Sequence, residues 1–256
     1  MTNKIDIDET LDKVLGQEQF TKDDLIYLMS LKKQEDLEKL YKRAYQIKEK
    51  YIGKKAYYRG LIEFSNKCIK DCDYCGIRLS NKDTERFDMT MSEIIEMAKW
   101  AYDNNYGSIT LQSGERQDPE FTDFVEEAII KIKEVSNGEL GLTLCLGEQT
   151  EETYRRWFAA GGHRYLLRIE TTNQELYSKI HPNNERHSYE KRVGCLKTLK
   201  KIGYQVGTGV MIGLPNQTEE DMVDDILFFK EMDIDMIGMG PYVVHKDTPL
   251  GAKVIE

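Results

Sequence analysis

The stretch Glu139–Leu146, ELGLTLCL, decides the fold. Leu140, Leu142, Leu144 and Leu146 fall on one side of an extended chain, and Gly141, Thr143 and Cys145 on the other, because successive side chains of a strand alternate. An apolar side suits covering helices. A side carrying polar groups is costly to bury in an ordinary core. The same split recurs along the chain. At 107–113 (GSITLQS), Ile109 and Leu111 oppose Thr110 and Gln112. At 163–170 (HRYLLRIE), Leu167 and Ile169 oppose Arg168 and Glu170. The conflict disappears if the sheet curls so that its polar face lines a lumen that holds a ligand.

Further strand candidates lie at 56–64, 204–211 and 235–240. They alternate with amphipathic stretches near 91–104, 119–135, 150–160, 189–202 and 218–231. Such β–α alternation predicts a parallel sheet. With the strand parity it predicts an α/β fold, a partial TIM barrel of six parallel βα units with its site at the C-terminal strand ends. Eight strands close such a barrel, so the reading expects truncation before closure. Residues 1–55 read as an N-terminal helical extension. Thr21, followed by two Asp, is its expected N-cap, and Gly53 an expected C-cap. Residues 56–256 read as the barrel.

Composition bounds the function. The 256 residues are 40% hydrophobic and 32% charged, with a net charge of -9. That charge disfavours a large phosphate-binding surface, so no nucleic-acid partner is expected. No apolar run approaches the ~20 residues of a membrane span, and the N-terminus lacks the apolar core of a signal peptide. The expectation is a cytoplasmic protein. Five cysteines, an odd number, disfavour a disulfide framework.

Three of those cysteines, Cys68, Cys72 and Cys75, share the segment FSNKCIKDCDYCGIR (64–78) in the spacing C-x3-C-x2-C. The segment follows the first strand, on the face where a β/α barrel carries its chemistry. Three thiolates can hold three irons of a [4Fe–4S] cube and leave the fourth iron open to a chelating ligand. Structural zinc needs a fourth ligand. The next Cys or His after Cys75 is Cys145, so only a distant residue such as Cys145 or His187 could supply it.

Cys68, Cys72, Tyr74 and Cys75 fit C-x3-C-x-(aromatic)-C, the signature of the radical S-adenosylmethionine (SAM) superfamily, which the chain resembles. LQSGE (111–115), LTLCLGE (142–148), RYLLRIET (164–171), IGLPNQT (212–218) and residues 223–250 extend the resemblance to the biotin synthase-like branch. Within that branch they resemble the HydE family of [FeFe]-hydrogenase maturases. Members of the branch run on well beyond the position of Glu256. The resemblance implies that SAM chelates the open iron and that an electron from the cluster cleaves it to a 5′-deoxyadenosyl radical. It implies roles for named residues: Cys68, Cys72 and Cys75 as catalytic cluster ligands, Tyr74 beside the cofactor, and Glu115 on the SAM amino group. It further implies Arg192 on the SAM carboxylate, Glu170 on its ribose, and Ile212 and Gly213 against its adenine. Gly207 and Gly209 would let a flat group approach their strand, or else mark a bulge in it.

The rest of the lumen is assigned to substrate. Gln112, Thr143, Arg168 and Met236 face it by parity, and Arg168 would attract an anion. Cys145 shares the face of Thr143 and reads as a packed thiol or a further candidate; Cys195 reads as core. His163 reads as structural, and His181 and His187 as solvated in a polar loop. The implied partners are a small-molecule or organometallic substrate, an electron donor such as ferredoxin or flavodoxin, and the maturases HydF and HydG. The alternatives are a methylornithine synthase-like lysine mutase and, outside enzymes, an iron–sulfur scaffold or electron carrier. Biotin synthase is disfavoured: it needs inward cysteines on several strands for a second cluster, and strand two offers none.

Overall fold

A computed structural model describes residues 4–255, with side chains described for 10–253. Three helices, α1 (Lys4–Leu15), α2 (Lys22–Met29) and α3 (Gln34–Ile52), precede the first strand. The alternation then runs β1 (Gly60–Ser65), α4 (Met91–Asp103), β2 (Ser108–Ser113), α5 (Pro119–Val135), β3 (Gly141–Cys145) and α6 (Glu151–Ala160). It continues with β4 (Arg164–Leu166), α7 (Gln174–Lys179), α8 (Tyr189–Ile202), β5 (Gln205–Thr208), β6 (Met211–Ile212) and α9 (Glu219–Glu231). The last elements are β7 (Met236–Ile237), β8 (Gly240–Pro241) and α10 (Pro249–Ile255). Among the described residues no helix is long and apolar enough to cross a membrane.

Local chemistry sets the helix starts. Thr21, Thr90 and Thr218 each close a capping box with an acidic residue three positions on. Asp118 caps α5 ahead of Pro119, whose missing N–H is harmless at that position. Gly53 ends α3 with φ of 78°, as its C-cap.

Six strands form one parallel sheet in the order β1-β2-β3-β4-β5-β7. The sheet is an open, partial barrel, since β1 and β7 pair with no strand on their outer sides among the described residues. Parity holds. Leu140, Leu142, Leu144 and Leu146 are at most 2% exposed and pack in one core cluster with Ile109, Leu111, Leu167 and Ile169. Each such side chain contributes about 1.5–3 kcal/mol by leaving water. On the inner face the register aligns Glu63 with Gln112, Gln112 with Cys145, and Thr110 with Thr143.

The fifth predicted strand, 204–211, departs from expectation. It breaks into β5 and β6, and β6 leaves the main sheet to pair with β8. Gly209 lies at the break, where a Cβ would stand 1.7 Å from the carbonyl oxygen of Gly238. Gly207 likewise makes room for Met236, whose Cβ would lie 3.2 Å from an added methyl. The glycines of this strand therefore admit the neighbouring strand, not a flat ligand.

Candidate active site

The cysteine segment has almost no regular structure, so side chains must hold it. Arg86 does most of this work. Its guanidinium donates to the carbonyls of Asn66 (2.7 Å), Ile77 (2.8 Å), Arg78 (2.7 Å) and Asn81 (3.1 Å). The loop is also stitched to β2. Ile69 N donates to Glu115 O at 2.9 Å, and the Glu115 amide lies 3.3 Å from Cys68 Sγ. Gly114 permits this approach, since a Cβ there would fall 2.3 Å from Lys67 O and 2.8 Å from Cys68 Cβ. SGE thus works as a close-contact turn.

Burial pushes the three thiols above their ordinary range, Cys72 to about 12. Amides of Lys70 and Glu115 pull Cys68 partly back, because N–H donors favour a thiolate. Among the described residues, no three His, Cys, Asp or Glu side chains converge as the ligands of a single metal ion. Thiols spaced along a loop suit a cluster with one thiolate per iron.

Behind the cysteines lies a buried quartet of charges. Lys70 Nζ is 2.9 Å from Glu148 Oε2 and 3.3 Å from Glu115 Oε1. Arg192 Nε is 2.8 Å from Glu148 Oε1, and the Glu148 amide donates to Glu115 Oε2 at 2.9 Å. All four residues are buried, Glu148 completely. Burial pushes the Glu115 carboxyl up, against the pull of Arg192 and Lys70. Burial opposes the charge of Arg192, but Glu148 and Glu115 outweigh it and hold the guanidinium protonated. The half-exposed Lys191 adds a third cation, its Nζ 3.8 Å from Glu148 Oε2. Arg192 Nε and Glu148 Oε1 face each other as an ion pair but outside hydrogen-bond geometry.

A second ion pair sits in the lumen. Arg168 Nε lies 3.0 Å from Glu170 Oε1, while Nη1 donates to Gly238 O (3.0 Å) and Nη2 to Val210 O (2.9 Å). Burial works against the Arg168 charge, and Glu170 more than restores it. Glu170, four residues past β4, has a left-handed backbone, φ 67°. Thr143 Oγ1 is buried without a partner, and Gln112 is half-buried beside Cys145. Met236 is set apart. It pairs in register with Gly207, one inward position lower than Gly238, and its sulfur lies 3.7 Å from Arg59 Nη1. Ile212 and Gly213 end β6 at the mouth, Ile212 exposed and Gly213 with φ 84°. Tyr74 and Met211 share a small apolar cluster with Leu176, Ile180, Leu214 and Leu250.

Other sequence expectations resolve unevenly. Cys195 is core, 3.9 Å from Gln149 O. His163 is exposed, edge-on to Phe158. His181 and His187, expected in solvent, are buried. Burial lowers their pKa values to about 3 and about 4. His187 Nε2 accepts from the Asp71 amide at 2.9 Å, and His181 Nε2 is 3.4 Å from the Tyr74 hydroxyl. Lys70 and Glu148 were not anticipated. Parity puts Glu148 on the apolar side with Leu146, but Gly147 turns left-handed, φ 75°, and swings the next residue to the mouth.

Comparison with known proteins agrees with this geometry. The family model for the radical SAM superfamily matches residues 62–229. The [FeFe] hydrogenase maturase subunit HydE of Thermotoga maritima is 45% identical over 242 residues, covering 94% of this chain and 67% of that protein. A biotin synthase of Lysinibacillus sphaericus is 31% identical over 80% of this chain and 61% of its own length. The crystal structure of methylornithine synthase (PylB) superposes with a TM-score of 0.84 at 28% identity, covering 94% of this chain and 70% of that one. The chain belongs to the radical SAM superfamily and is a radical SAM enzyme, whose cofactors are a [4Fe–4S] cluster and S-adenosylmethionine.

Proposed function

We propose that the enzyme is a HydE-type maturase acting in assembly of the [FeFe]-hydrogenase H-cluster. The carrying observation is the 45% identity to a HydE across 94% of the chain. In this reading residues 1–55 form a helical extension and 56–256 carry the catalytic barrel. Cys68, Cys72 and Cys75 hold the cluster, and their raised pKa values mean that protons leave as iron binds. Glu115 takes the SAM amino group and Arg192 its carboxylate, with Lys70 and Glu148 keeping both aligned. Glu170, steadied by Arg168, meets the ribose. Tyr74, Ile212 and Gly213 border the adenine. Bound there, cluster and SAM together supply a 5′-deoxyadenosyl radical for attack on substrate.

Gln112, Thr143, Arg168 and Met236 take the substrate. Arg168 spends one N–H each at Nε, Nη1 and Nη2 on the protein. Each Nη keeps its second N–H for an anionic group. The substrate is then a small or organometallic anion, reduction comes from a ferredoxin or flavodoxin, and HydF and HydG act on the same assembly. A second reading, a methylornithine synthase-like lysine mutase, is favoured by the superposition on PylB and by 28% identity to 3-methylornithine synthases over 96% of the chain.

The test is anaerobic reconstitution with iron, sulfide, SAM and dithionite, followed by in vitro hydrogenase maturation with HydF and HydG. Expected are 5′-deoxyadenosine, methionine and an active hydrogenase. An iron-loaded chain that makes no 5′-deoxyadenosine sinks the catalytic reading. One that makes it, rearranges lysine and leaves hydrogenase inactive moves the assignment to the mutase.

A further inference from the structure

Arg192 Nε and Glu148 Oε1 stand 2.8 Å apart as an ion pair outside hydrogen-bond geometry, and close by the hydroxyl of Tyr177 finds no acceptor. The first two belong to the quartet. Tyr177, on α7, is 3% exposed, and its hydroxyl oxygen lies against the Arg192 guanidinium, from which it can only accept, so its own O–H is left without an acceptor. A buried O–H with no acceptor is rare in native proteins and calls for an explanation.

The phenol cannot swing elsewhere. Its ring stacks on His181, with centroids 4.0 Å apart and planes 23° apart, and Tyr189 closes against it at 5.4 Å and 78°. His181 is pinned in turn. Its Nδ1 lies 2.9 Å from Tyr177 O, and its ring meets Tyr74 edge-on at 5.3 Å. The stack therefore runs from α7 through His181 into the cysteine loop, and fixes where the Tyr177 hydroxyl points. Burial raises the phenol to about 12, so it remains an O–H donor across the neutral range.

The chemistry of the three atoms is specific. Tyr177 and Arg192 offer donors, and Glu148 offers a lone pair. Two donors next to one acceptor match an α-amino-carboxylate. We propose that Tyr177 is a further binding residue of the SAM subsite, donating its hydroxyl to the α-carboxylate that Arg192 also receives. The inference rests on the radical SAM reading of this site and adds a contact to it.

The test uses Tyr177→Phe in the full chain with its cluster reconstituted. The substitution keeps the ring, the stack and the brace on Tyr74, and removes an O–H that has no acceptor within the protein. Iron content and the circular dichroism spectrum should match the wild type. SAM binding is read from the change in the EPR spectrum of the reduced cluster as SAM is titrated, in parallel with the decarboxylated form of SAM. Loss of one hydrogen bond to a charged group should weaken SAM about tenfold. Binding of the decarboxylated form should not change. Unchanged SAM affinity in the variant overturns the proposal and leaves the hydroxyl facing water only. An equal loss for both ligands also overturns it, because the effect would then come from packing. A wild-type cluster whose spectrum ignores SAM fails earlier, and overturns the assignment of the site itself.

Discussion

Leu144 and Glu148 stand four residues apart, and neither is exposed at all. Leu144 sits among the Leu and Ile side chains between sheet and helices, where burial itself is the stabilising force. Glu148 is ringed by Lys70, Arg192 and the carboxylate of Glu115. Taking such charges out of water costs several kcal/mol per ion, which their mutual attraction barely offsets. Equal dryness thus has opposite causes at the two positions. The outer face of the sheet makes the fold stable. The mouth draws on that stability to hold charges in place for a ligand.

The largest expected effect comes from cutting into each region. Glu148→Ala leaves Lys70 and Arg192 short of a counter-charge in a dry site and should lose about 3–5 kcal/mol in urea unfolding. Leu144→Ala should lose about 2–5 kcal/mol through lost burial and a cavity. The two losses look alike, so a second step separates them. Lys70→Met added to Glu148→Leu replaces the ion pair by apolar groups of similar size. Most of the stability should return, while SAM binding should not. A double variant that stays as unstable as Glu148→Ala would mean the quartet is structural after all.

Acid offers a second probe of the mouth. His181 and His187 are held neutral by burial, at about 3 and about 4, against an ordinary value near 6.5. Their folded-state values are lowered. Below ~6.5 the unfolded chain takes up protons that the folded chain refuses, so stability is intact above that pH and falls as pH drops toward the folded values. Each histidine contributes a slope of up to about 1.4 kcal/mol per pH unit. Urea midpoints between roughly pH 7 and 5, above most carboxylate titrations, should decline. His187→Gln should flatten the decline by about half. A stability flat across that window would place both rings in water, where the sequence first put them.

The contrast also marks what could be read from the chain alone. Period-two alternation needs only neighbouring residues, and it located the leucine face, Thr143 and the Arg168–Glu170 pair. The cysteine spacing and its aromatic residue are equally local. What failed depended on a turn or on distant chain. Glu148 escaped because Gly147 reverses the parity at one residue. Gly209 was read as room for a ligand because the carbonyl of Gly238 beside it is remote in sequence. His181, His187 and Tyr177 lie in a segment that looks polar, and are buried only because the cysteine loop folds down on them.

The smallest effect tests whether the inner face follows the logic of the mouth. Thr143 has a hydroxyl that is buried and unpartnered, so the fold gains nothing from it. A buried polar group without a partner retains its desolvation penalty, and an apolar group of the same shape is neutral or mildly stabilising. Thr143→Val should therefore hold stability constant or raise it by up to about 1 kcal/mol in urea unfolding. Its catalytic effect should be confined to substrate. SAM cleavage in the absence of substrate should continue unchanged, since the proposed reading puts the cofactor contacts on Glu115, Arg192 and Glu170, while substrate-dependent turnover should fall. A destabilised Thr143→Val would give the hydroxyl a structural partner and move Thr143 to the side of Leu144. A stable variant with normal turnover would free the inner face of β3 from the substrate altogether, leaving the polar lumen to be explained by Arg168 and Glu170.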